Sequence, residues 1–250
     1  MELTVGSRTD AGPRKMNQDH HGWWPELGLC VVADGMGGHN AGEVASHLAV
    51  ETIHGFIAES AQSSDITWPF GIETTNSIDV NRLSTAVRLA NRKIYSEGSR
   101  APELSGMGTT VVAALVAGDR VALVSVGDSR IYRLRQGKLE QLTSDDTWLA
   151  SVLGAKEAEV ADPGHPLRHV LTSVVGTRDD LKPATREEEL QAGDTFVLCT
   201  DGIHGRLDSA ALATVLSGAT TAADGASKLV DEALTRGTSD NATALVITVA

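Results

Sequence analysis

Short apolar runs rich in valine and leucine recur along the chain, and their order constrains the fold more than any other feature. Each run is a few residues long, contains β-branched side chains and is bounded by Gly, Asp or Asn, which is typical of buried strands. The strands predicted from these runs cover residues 27–33, 110–117, 121–126, 131–134, 195–199 and 242–249.

Two segments between the first and second runs have helical spacing instead. Apolar residues recur at i, i+3, i+4 and i+7 over residues 45–57 and 80–94, so each segment predicts an amphipathic helix with one buried stripe. Further helices are predicted near 207–216 and near 226–234, the latter ending before Gly237. Helices and strands are segregated, which favours an α+β fold with antiparallel sheets over repeated βαβ units.

Composition limits the classes of function and the organisation of the chain. The 250 residues carry 33 acidic and 21 basic side chains, a net charge of −12, which argues against general nucleic-acid binding and against anionic membranes. Since no apolar run reaches roughly 18–20 residues and the first residues lack a signal-peptide core, we expect a soluble cytoplasmic protein. Residues 1–250 are predicted to form one domain, with irregular stretches at 60–76 and 144–166. Cys30 and Cys199 lie inside apolar runs and are expected to be reduced packing residues.

Carboxylates stand at the ends of several predicted strands. Asp34, Asp128 and Asp201 each follow an apolar run, and Asp240 comes just before the last one. A carboxylate at the end of a buried strand is costly unless its charge is offset, and four that converge would repel one another. A divalent cation is the usual resolution, and oxygen ligands without Cys or paired His favour Mg²⁺ or Mn²⁺.

Two other interpretations of these residues stay open. Asp-Gly is also the strongest signal for a type I′ hairpin turn, which at Asp34-Gly35 or Asp201-Gly202 would need no ligand. A helix rather than a strand is predicted after each pair, which weakens that interpretation. The glycines after Asp34 also suggest nucleotide binding, but the third glycine of the dinucleotide fingerprint falls on Asn40.

Eight segments match, in order, the motifs of one enzyme family. They are RKMNQD (14–19), VVADGMGGHNAGEVAS (31–46), GMGTTVVAALV (106–116), VSVGDSRIYRL (124–134), QLTSDD (141–146), HPLRHVLTSVVG (165–176), FVLCTDGIHGRLD (196–208) and TSDNATALVI (238–247). On these segments the chain resembles the bacterial form of the metal-dependent protein serine/threonine phosphatases of type 2C, the PPM class. Eight motifs in the expected order make the resemblance highly specific, and it extends over almost the whole chain.

The resemblance implies a β-sandwich of two antiparallel sheets flanked by pairs of α-helices, in four layers (αββα). It implies hydrolysis of phosphoserine and phosphothreonine on proteins by direct attack of a metal-bridged water or hydroxide. Two Mn²⁺ or Mg²⁺ ions per active site are expected, and a third, weaker site is found in bacterial relatives. The expected partners are phosphorylated proteins, with a cognate bacterial Ser/Thr kinase and its substrates, and a monomer is the default state.

The metal ligands follow from the same resemblance, position by position. Asp34, Asp201 and Asp240 match the residues that bind one metal. Asp34 and the backbone carbonyl of Gly35 match the ligands of the other. Asp128, together with Asp201, matches the third, weaker site.

Two further residues match catalytic positions of the family. Asp19 matches an acid that orients metal-bound water, and Arg14 matches the arginine that binds the substrate phosphate, for which a guanidinium has the right geometry. Two alternatives share the fold: a pseudophosphatase that acts as a regulatory binding module, and a phosphatase of sigma-factor antagonists. The retained aspartates speak against the first, and the retained Arg14 speaks against the second.

The chain departs from the family pattern at three places, and the third is the flap, which contributes to substrate choice in the family. Met36 stands where some members carry a histidine proposed as general acid, so the proton donor stays unassigned, and His39 is expected to have a local structural role. Asp145-Asp146 replaces the frequent Asp-His pair after Leu-Thr. The flap-like insertion around 144–166 is short and unlike the common pattern.

Overall fold

Two antiparallel sheets form the centre of the molecule. The structure is a computed structural model that describes residues 1–38, 41–62, 67–154, 167 and 170–250. Its strands are β1 (Leu3–Asp10), β2 (Asp19–Trp24), β3 (Leu29–Met36), β4 (Gly108–Thr109), β5 (Val111–Ala117), β6 (Arg120–Val126), β7 (Arg130–Arg135), β8 (Lys138–Gln141), β9 (Ala184–Glu189), β10 (Thr195–Cys199) and β11 (Ala242–Val249). One sheet has the order β1-β11-β10-β7-β8, and the other has the order β2-β3-β5-β6-β9, with β4 paired to β3.

Helices cover the outer faces of both sheets. They are α1 (Ala41–Gln62), α2 (Ile78–Arg100), α3 (Trp148–Leu153), α4 (Asp201–His204), α5 (Ser209–Ser217) and α6 (Ala222–Thr235), with short 3₁₀ turns at Pro25–Leu27 and Pro102–Leu104. The pair α1 and α2 packs against β3 and β6, while α6 packs against β1 and β11 with α5 beside it. This arrangement is the four-layer sandwich, so the α+β fold class is confirmed.

Apolar layers between the sheets and under the helices hold the sandwich together. Along β3 the side chains alternate, so that Leu29 and Val31 face the helices while Cys30 and Val32 face the opposite sheet. Because both faces are buried, the strand reads in the sequence as one continuous apolar run. Both cysteines are buried and free, as predicted, and burial raises the pKa of the Cys199 thiol to about 12.

The predicted interior elements are confirmed, with shifted ends. β3 begins at Leu29 and continues to Met36, and α1 and α2 extend beyond the predicted apolar stripes. Five strands were not predicted: the two-residue β4, and four strands without a continuous apolar run (β1, β2, β8 and β9), which all lie at sheet edges. An edge strand exposes one side to solvent, so polar residues are tolerated there and the hydrophobic pattern is weak.

The two stretches predicted as irregular are only partly so. α1 runs to Gln62, and within 144–166 the segment Trp148–Leu153 forms α3, which begins where the Thr147 hydroxyl accepts a hydrogen bond from the Ala150 N–H. A short capped helix was missed there because its apolar residues span fewer than two turns. Residues 155–166, and with them most of the predicted flap, lie outside the described residues. In the part of the chain that is described, no helix has the length and apolar character to cross a membrane.

Candidate active site

A cavity of about 690 Å³ opens at the end of the sandwich where β3, β6 and β10 finish and β2 and β11 begin. We call its five acidic residues the aspartate cluster; they are Asp19, Asp34, Asp128, Asp201 and Asp240. Six of the seven residues predicted for the site line the cavity, namely Arg14, Asp34, Gly35, Asp128, Asp201 and Asp240. The seventh, Asp19, is buried next to them. The residues that the sequence separates by more than 200 positions thus meet in one place.

Asp34 is held in place by the segment that precedes β5. Its N–H donates to Thr110 Oγ1 at 3.1 Å, and its carbonyl accepts from Thr109 Oγ1 and from the Thr110 N–H, each at 2.8 Å. Burial raises the pKa of Asp34 well above its usual value, and the other four members of the aspartate cluster raise it further. A cation beside this carboxyl would reverse that effect, since an opposite charge favours the ionised form.

Asp128 lies in the tight turn between β6 and β7. Gly127 has a φ of +95°, and a Cβ there would come within 2.7 Å of the Thr110 methyl group, so the turn requires glycine. Ser129 Oγ shares a hydrogen bond with Thr110 Oγ1 at 2.7 Å, and Asp146 accepts from the Gly127 N–H at 3.0 Å. Burial, and then the nearby aspartates, raise the pKa of Asp128 to about 7.

Asp19 stands directly opposite Asp34 in the register of β2 and β3. Its Oδ2 accepts hydrogen bonds from Thr243 Oγ1 at 2.6 Å and from Thr200 Oγ1 at 3.0 Å. Burial raises the pKa of Asp19 to about 7 in spite of these two hydrogen bonds. Its other oxygen, Oδ1, is buried and has no hydrogen-bond partner among the described residues. A buried oxygen in that condition fits a position next to a cation or its bound water.

Asn241 fastens the N-terminal segment to the cavity. Its Oδ1 accepts from the Gln18 N–H at 2.8 Å, and its Nδ2 donates to the carbonyls of Ala11 and Met16, each at 2.9 Å. The motif around Arg14 is therefore fixed against the start of β11. This contact explains how residues from the two ends of the chain build one site.

Arg14 lies at the rim of the cavity, with 54% of its side chain exposed. Its Nη2 donates to Asp240 Oδ2 at 2.7 Å, and its Nε donates to the Ser239 carbonyl at 2.8 Å. The guanidinium thus sits beside the aspartate cluster and faces solvent, which suits a group that meets an incoming anion.

The two Asp-Gly pairs are not hairpin turns, so that alternative is wrong at both positions. Asp34-Gly35 lies within β3, and Asp201-Gly202 begins α4. A Cβ at Gly35 would lie 2.0 Å from the Gly42 carbonyl oxygen, so glycine allows the start of α1 to approach β3. The space beside Gly35 is therefore filled by the backbone at the start of α1. This contact explains the glycine without a bound nucleotide.

The donors that face the cavity fit hard divalent cations. Asp34, Asp128, Asp201 and Asp240 line the cavity with carboxylates, which are ligands that Mg²⁺ and Mn²⁺ prefer, and Gly35 lines it beside them. Burial first, and then the charges of neighbouring aspartates, raise the pKa values of Asp19, Asp34 and Asp128, and a cation beside these carboxyls would oppose both effects.

Several cavity residues were not singled out from the sequence, and they are Gln18, Thr110, Thr172, Thr177, Arg178 and Asn241. Thr110 and Asn241 lie inside the matched motifs, where a hydroxyl or amide beside a strand end is the only signal. Arg178 adds a second guanidinium to the cavity and follows the motif at 165–176 by two positions.

The structure shows where two of the residues that depart from the family pattern lie and what they contact. Met36 lines the cavity and is exposed, and it carries no proton to donate. Asp145 accepts two hydrogen bonds from Arg130, at 2.9 and 2.7 Å, so its charge is balanced outside the aspartate cluster. His39 lies outside the described residues.

Comparison with known proteins agrees with this geometry. The family model described as Protein phosphatase 2C matches residues 12–236. The chain is 33% identical over 246 residues to the serine/threonine protein phosphatase PstP of Mycobacterium tuberculosis, a match that covers 98% of this chain and 44% of PstP. This chain therefore spans less than half the length of PstP. It is 32% identical over 249 residues to the serine/threonine phosphatase stp of Listeria innocua, covering 96% of this chain and 93% of that protein.

Solved structures give the same result. The crystal structure of Mycobacterium tuberculosis PstP superposes with a TM-score of 0.83 at 33% identity, covering 99% of this chain and 98% of that one. A structure of the PstP catalytic domain in complex with two manganese ions gives a TM-score of 0.82 at 32% identity, covering 98% and 97%. The family match, the similarity over nearly all of this chain and the shared sandwich lead to one conclusion: the chain belongs to the protein phosphatase 2C family, the class of metal-dependent serine/threonine protein phosphatases.

Proposed function

We propose that this chain hydrolyses phosphoserine and phosphothreonine on proteins. The observation that carries the proposal is the convergence of the aspartate cluster and Arg14 on one open cavity. Carboxylates would hold the cations that phosphate needs, and a guanidinium at the rim would bind its oxygens. The named phosphatase relatives, among them stp of Listeria innocua, support the same activity.

The metal-binding roles belong to this proposal. Asp34, Asp201 and Asp240 would hold one Mn²⁺ or Mg²⁺ ion, Asp34 and the Gly35 carbonyl a second, and Asp128 with Asp201 a third, weaker one. When bound, such ions supply the Lewis acidity that makes water a nucleophile near neutral pH. Thr109 and Thr110 form hydrogen bonds with the backbone of Asp34 and so fix the position of that residue at the cavity.

Two residues act on water and substrate. Asp19 would orient the attacking water through its buried Oδ1, because Thr200 and Thr243 occupy only Oδ2. Arg14 would bind the phosphate oxygens of the substrate. Attack by water needs no nucleophilic side chain, which agrees with a Cys199 that is buried in the core and has a raised pKa.

The wider setting is proposed on the family alone. A cognate bacterial Ser/Thr kinase and its phosphorylated substrates would be the partners, and the protein would work as a cytoplasmic monomer. The pseudophosphatase alternative is disfavoured because each predicted metal-binding aspartate is retained at the cavity, and the sigma-factor-antagonist alternative because Arg14 is retained.

The test is phosphate release from a phosphothreonine peptide by protein stripped with EDTA. We expect turnover after Mn²⁺ or Mg²⁺ is added back, and none in EDTA. A phosphotyrosine peptide of the same sequence serves as the matched substrate control and should be hydrolysed more slowly. Absence of turnover with both ions, together with retained phosphopeptide binding, would support the binding-module alternative instead.

A further inference from the structure

A second group of side chains of metal-ligating types lies outside the cavity, where β2 meets α1. It consists of His20 on β2 and of His47 and Glu51 on α1, and we call it the His-Glu cluster. The possible ligand atoms of these three residues all lie within 4.8 Å of one another. The ring centroids of His20 and His47 are 4.7 Å apart. None of the three residues lines the cavity that holds the aspartate cluster.

The cluster is carried by two regular elements rather than by loops. His47 and Glu51 are four residues apart on α1, so their side chains share one face of the helix. His20 faces α1 because side chains alternate along β2, while its neighbour Asp19 faces the aspartate cluster. The three groups therefore approach one another through the fold itself.

The packing next to the cluster fixes the spacing between strand and helix. The indole of Trp24 stacks on the ring of His54, with centroids 4.1 Å apart and planes 6° from parallel. Gly22 makes room for that indole, since a Cβ there would lie 2.2 Å from the Trp24 ring. This stacking contact lies one turn of α1 beyond Glu51 and two turns beyond His47. It holds β2 against α1, so that His20 stays opposite His47.

We propose that the His-Glu cluster binds one transition-metal ion of the Zn²⁺ class. Two imidazoles and one carboxylate are a common protein ligand set for Zn²⁺ and also suit Cu²⁺ and Ni²⁺. Zinc bonds of about 2.1 Å place tetrahedral ligands about 3.4 Å apart, which His47 and Glu51 reach by small side-chain rotations, because both are exposed. The aspartate cluster offers oxygen alone and selects harder ions, so the two sites differ in the ions they take.

A metal ion in the His-Glu cluster would tie α1 to β2 directly behind the cavity. His20 follows Asp19 in the chain, and Ser46, next to His47, donates a hydrogen bond to the Gln18 carbonyl at 2.7 Å. The same carbonyl accepts from the Gly35 N–H at 3.0 Å. The proposed ion therefore stabilises the segment that leads into β2, which carries Arg14 and Asp19 of the candidate active site. Binding of the ion should raise the melting temperature.

The test uses untagged protein that is stripped of metal and then saturated with Mg²⁺, so that the aspartate cluster holds a hard ion. One equivalent of Cu²⁺ should give an electron paramagnetic resonance spectrum with nitrogen hyperfine coupling. Zn²⁺ should bind with one equivalent by calorimetry and raise the melting temperature. His47→Gln should remove the coupling of one of the two imidazole nitrogens from the copper spectrum. It should also weaken Zn²⁺ binding at least tenfold and abolish the Zn²⁺-induced rise in melting temperature.

Two controls separate the cluster from other side chains. His21→Asn changes the next histidine on β2, whose ring contacts Ser7 rather than α1, and should leave copper coupling and zinc affinity unchanged. Glu51→Gln should keep the nitrogen coupling and weaken Zn²⁺ binding. Equal Zn²⁺ affinity and equal copper spectra in wild type and His47→Gln would overturn the proposal, whatever the phosphatase assay shows.

Discussion

Two regions of this molecule differ in how the negative charge of their acidic side chains is balanced. On β7, β8 and β9, Arg133 and Arg186 each contact both Glu140 and Glu188, at distances of 2.5–3.2 Å; we call these four residues the arginine–carboxylate network. In the aspartate cluster the described cation contact is Arg14 to Asp240, at the exposed rim. The first region is neutralised by its own chain, and the second is left with excess negative charge.

The pKa directions express this difference. Burial acts against the ionised form of Glu140, but hydrogen bonds from Arg133 and Arg186 hold its pKa below the usual value. Burial raises the pKa of Asp19 and Asp128 to about 7, and the threonine hydrogen bonds to Asp19 and the positive charge of Arg130 near Asp128 offset this only in part. Arginines thus stabilise the carboxylates of the arginine–carboxylate network, whereas burial and neighbouring aspartates make the ionised forms of Asp19, Asp34 and Asp128 costly, a cost that a bound cation would offset.

The largest expected effect comes from removing one charge of the aspartate cluster. Asp201→Asn should lower kcat/KM for a phosphothreonine peptide in Mn²⁺ by roughly a thousandfold or more, the scale seen when a key electrostatic group is removed from an active site. Glu140→Gln is the matched control, because it removes a carboxylate from the arginine–carboxylate network and should leave kcat/KM within about twofold. Undiminished turnover in Asp201→Asn would exclude Asp201 as a metal ligand.

The second expected effect is a pH dependence of stability that is largest in the metal-free protein. An aspartate in the unfolded chain titrates near 3.8, whereas Asp19 and Asp128 titrate at about 7 in the folded protein. Between these values the folded state binds more protons, so the free energy of unfolding falls as pH rises. The melting temperature of EDTA-stripped protein should therefore be lower at pH 8 than at pH 5.5.

Two further measurements sharpen that experiment. Saturating Mn²⁺ should remove most of the difference between pH 5.5 and pH 8, because the cations favour the ionised carboxylates. Asp128→Asn should reduce the difference in the metal-free protein without disturbing the hydroxyls that hold Asp19. A metal-free protein that is more stable at pH 8 than at pH 5.5 would contradict the charge excess inferred for the cluster.

A smaller effect is expected at the one described ion pair that joins the aspartate cluster to an arginine. Arg14→Ala should raise KM for a phosphopeptide about tenfold and change kcat less, because Arg14 binds phosphate in the ground state as well as in the transition state. Stability should change little, since exposed ion pairs contribute about 0–1 kcal/mol. Arg236→Ala, which breaks an exposed pair with Glu232, is the matched control, and an unchanged KM in Arg14→Ala would remove Arg14 from the site.

The same contrast explains what the sequence can and cannot predict. Interior strands such as β5 and β11 are predictable because both faces are buried, which leaves continuous apolar runs. The edge strand β9 reads ATREEE, and two of its acidic residues contact arginines from other strands, Glu187 with Arg120 on β6 and Glu188 with Arg133 on β7. A pattern that depends on partners distant in sequence has no local signature.

The candidate site divides in a similar way. Asp34, Asp128 and Asp201 stand out because a carboxylate at the end of an apolar run is unusual in itself. Asn241 and Thr243 do not stand out, because their roles come from contacts with Gln18 and Asp19, which lie 223 and 224 positions away. The aspartates can be recognised from the sequence because of their own position at a strand end. The hydrogen-bond partners that orient the site can be recognised only in the folded structure.

The smallest expected effect is on stability, and it concerns the arginine–carboxylate network. Glu140→Gln should lower the free energy of unfolding by about 0.5–1 kcal/mol, because Glu140 is 41% exposed and such pairs are weakened by solvent. Glu188→Gln should cost more, since Glu188 is 17% exposed and also contacts both arginines. Urea unfolding at low and at 1 M salt measures both, and salt should reduce the loss at Glu140 more than at Glu188, because exposed charges are screened more effectively. Equal losses at the two positions would mean that burial does not set the strength of these pairs, and the contrast with the aspartate cluster would then rest only on the contacts that each glutamate makes with two arginines.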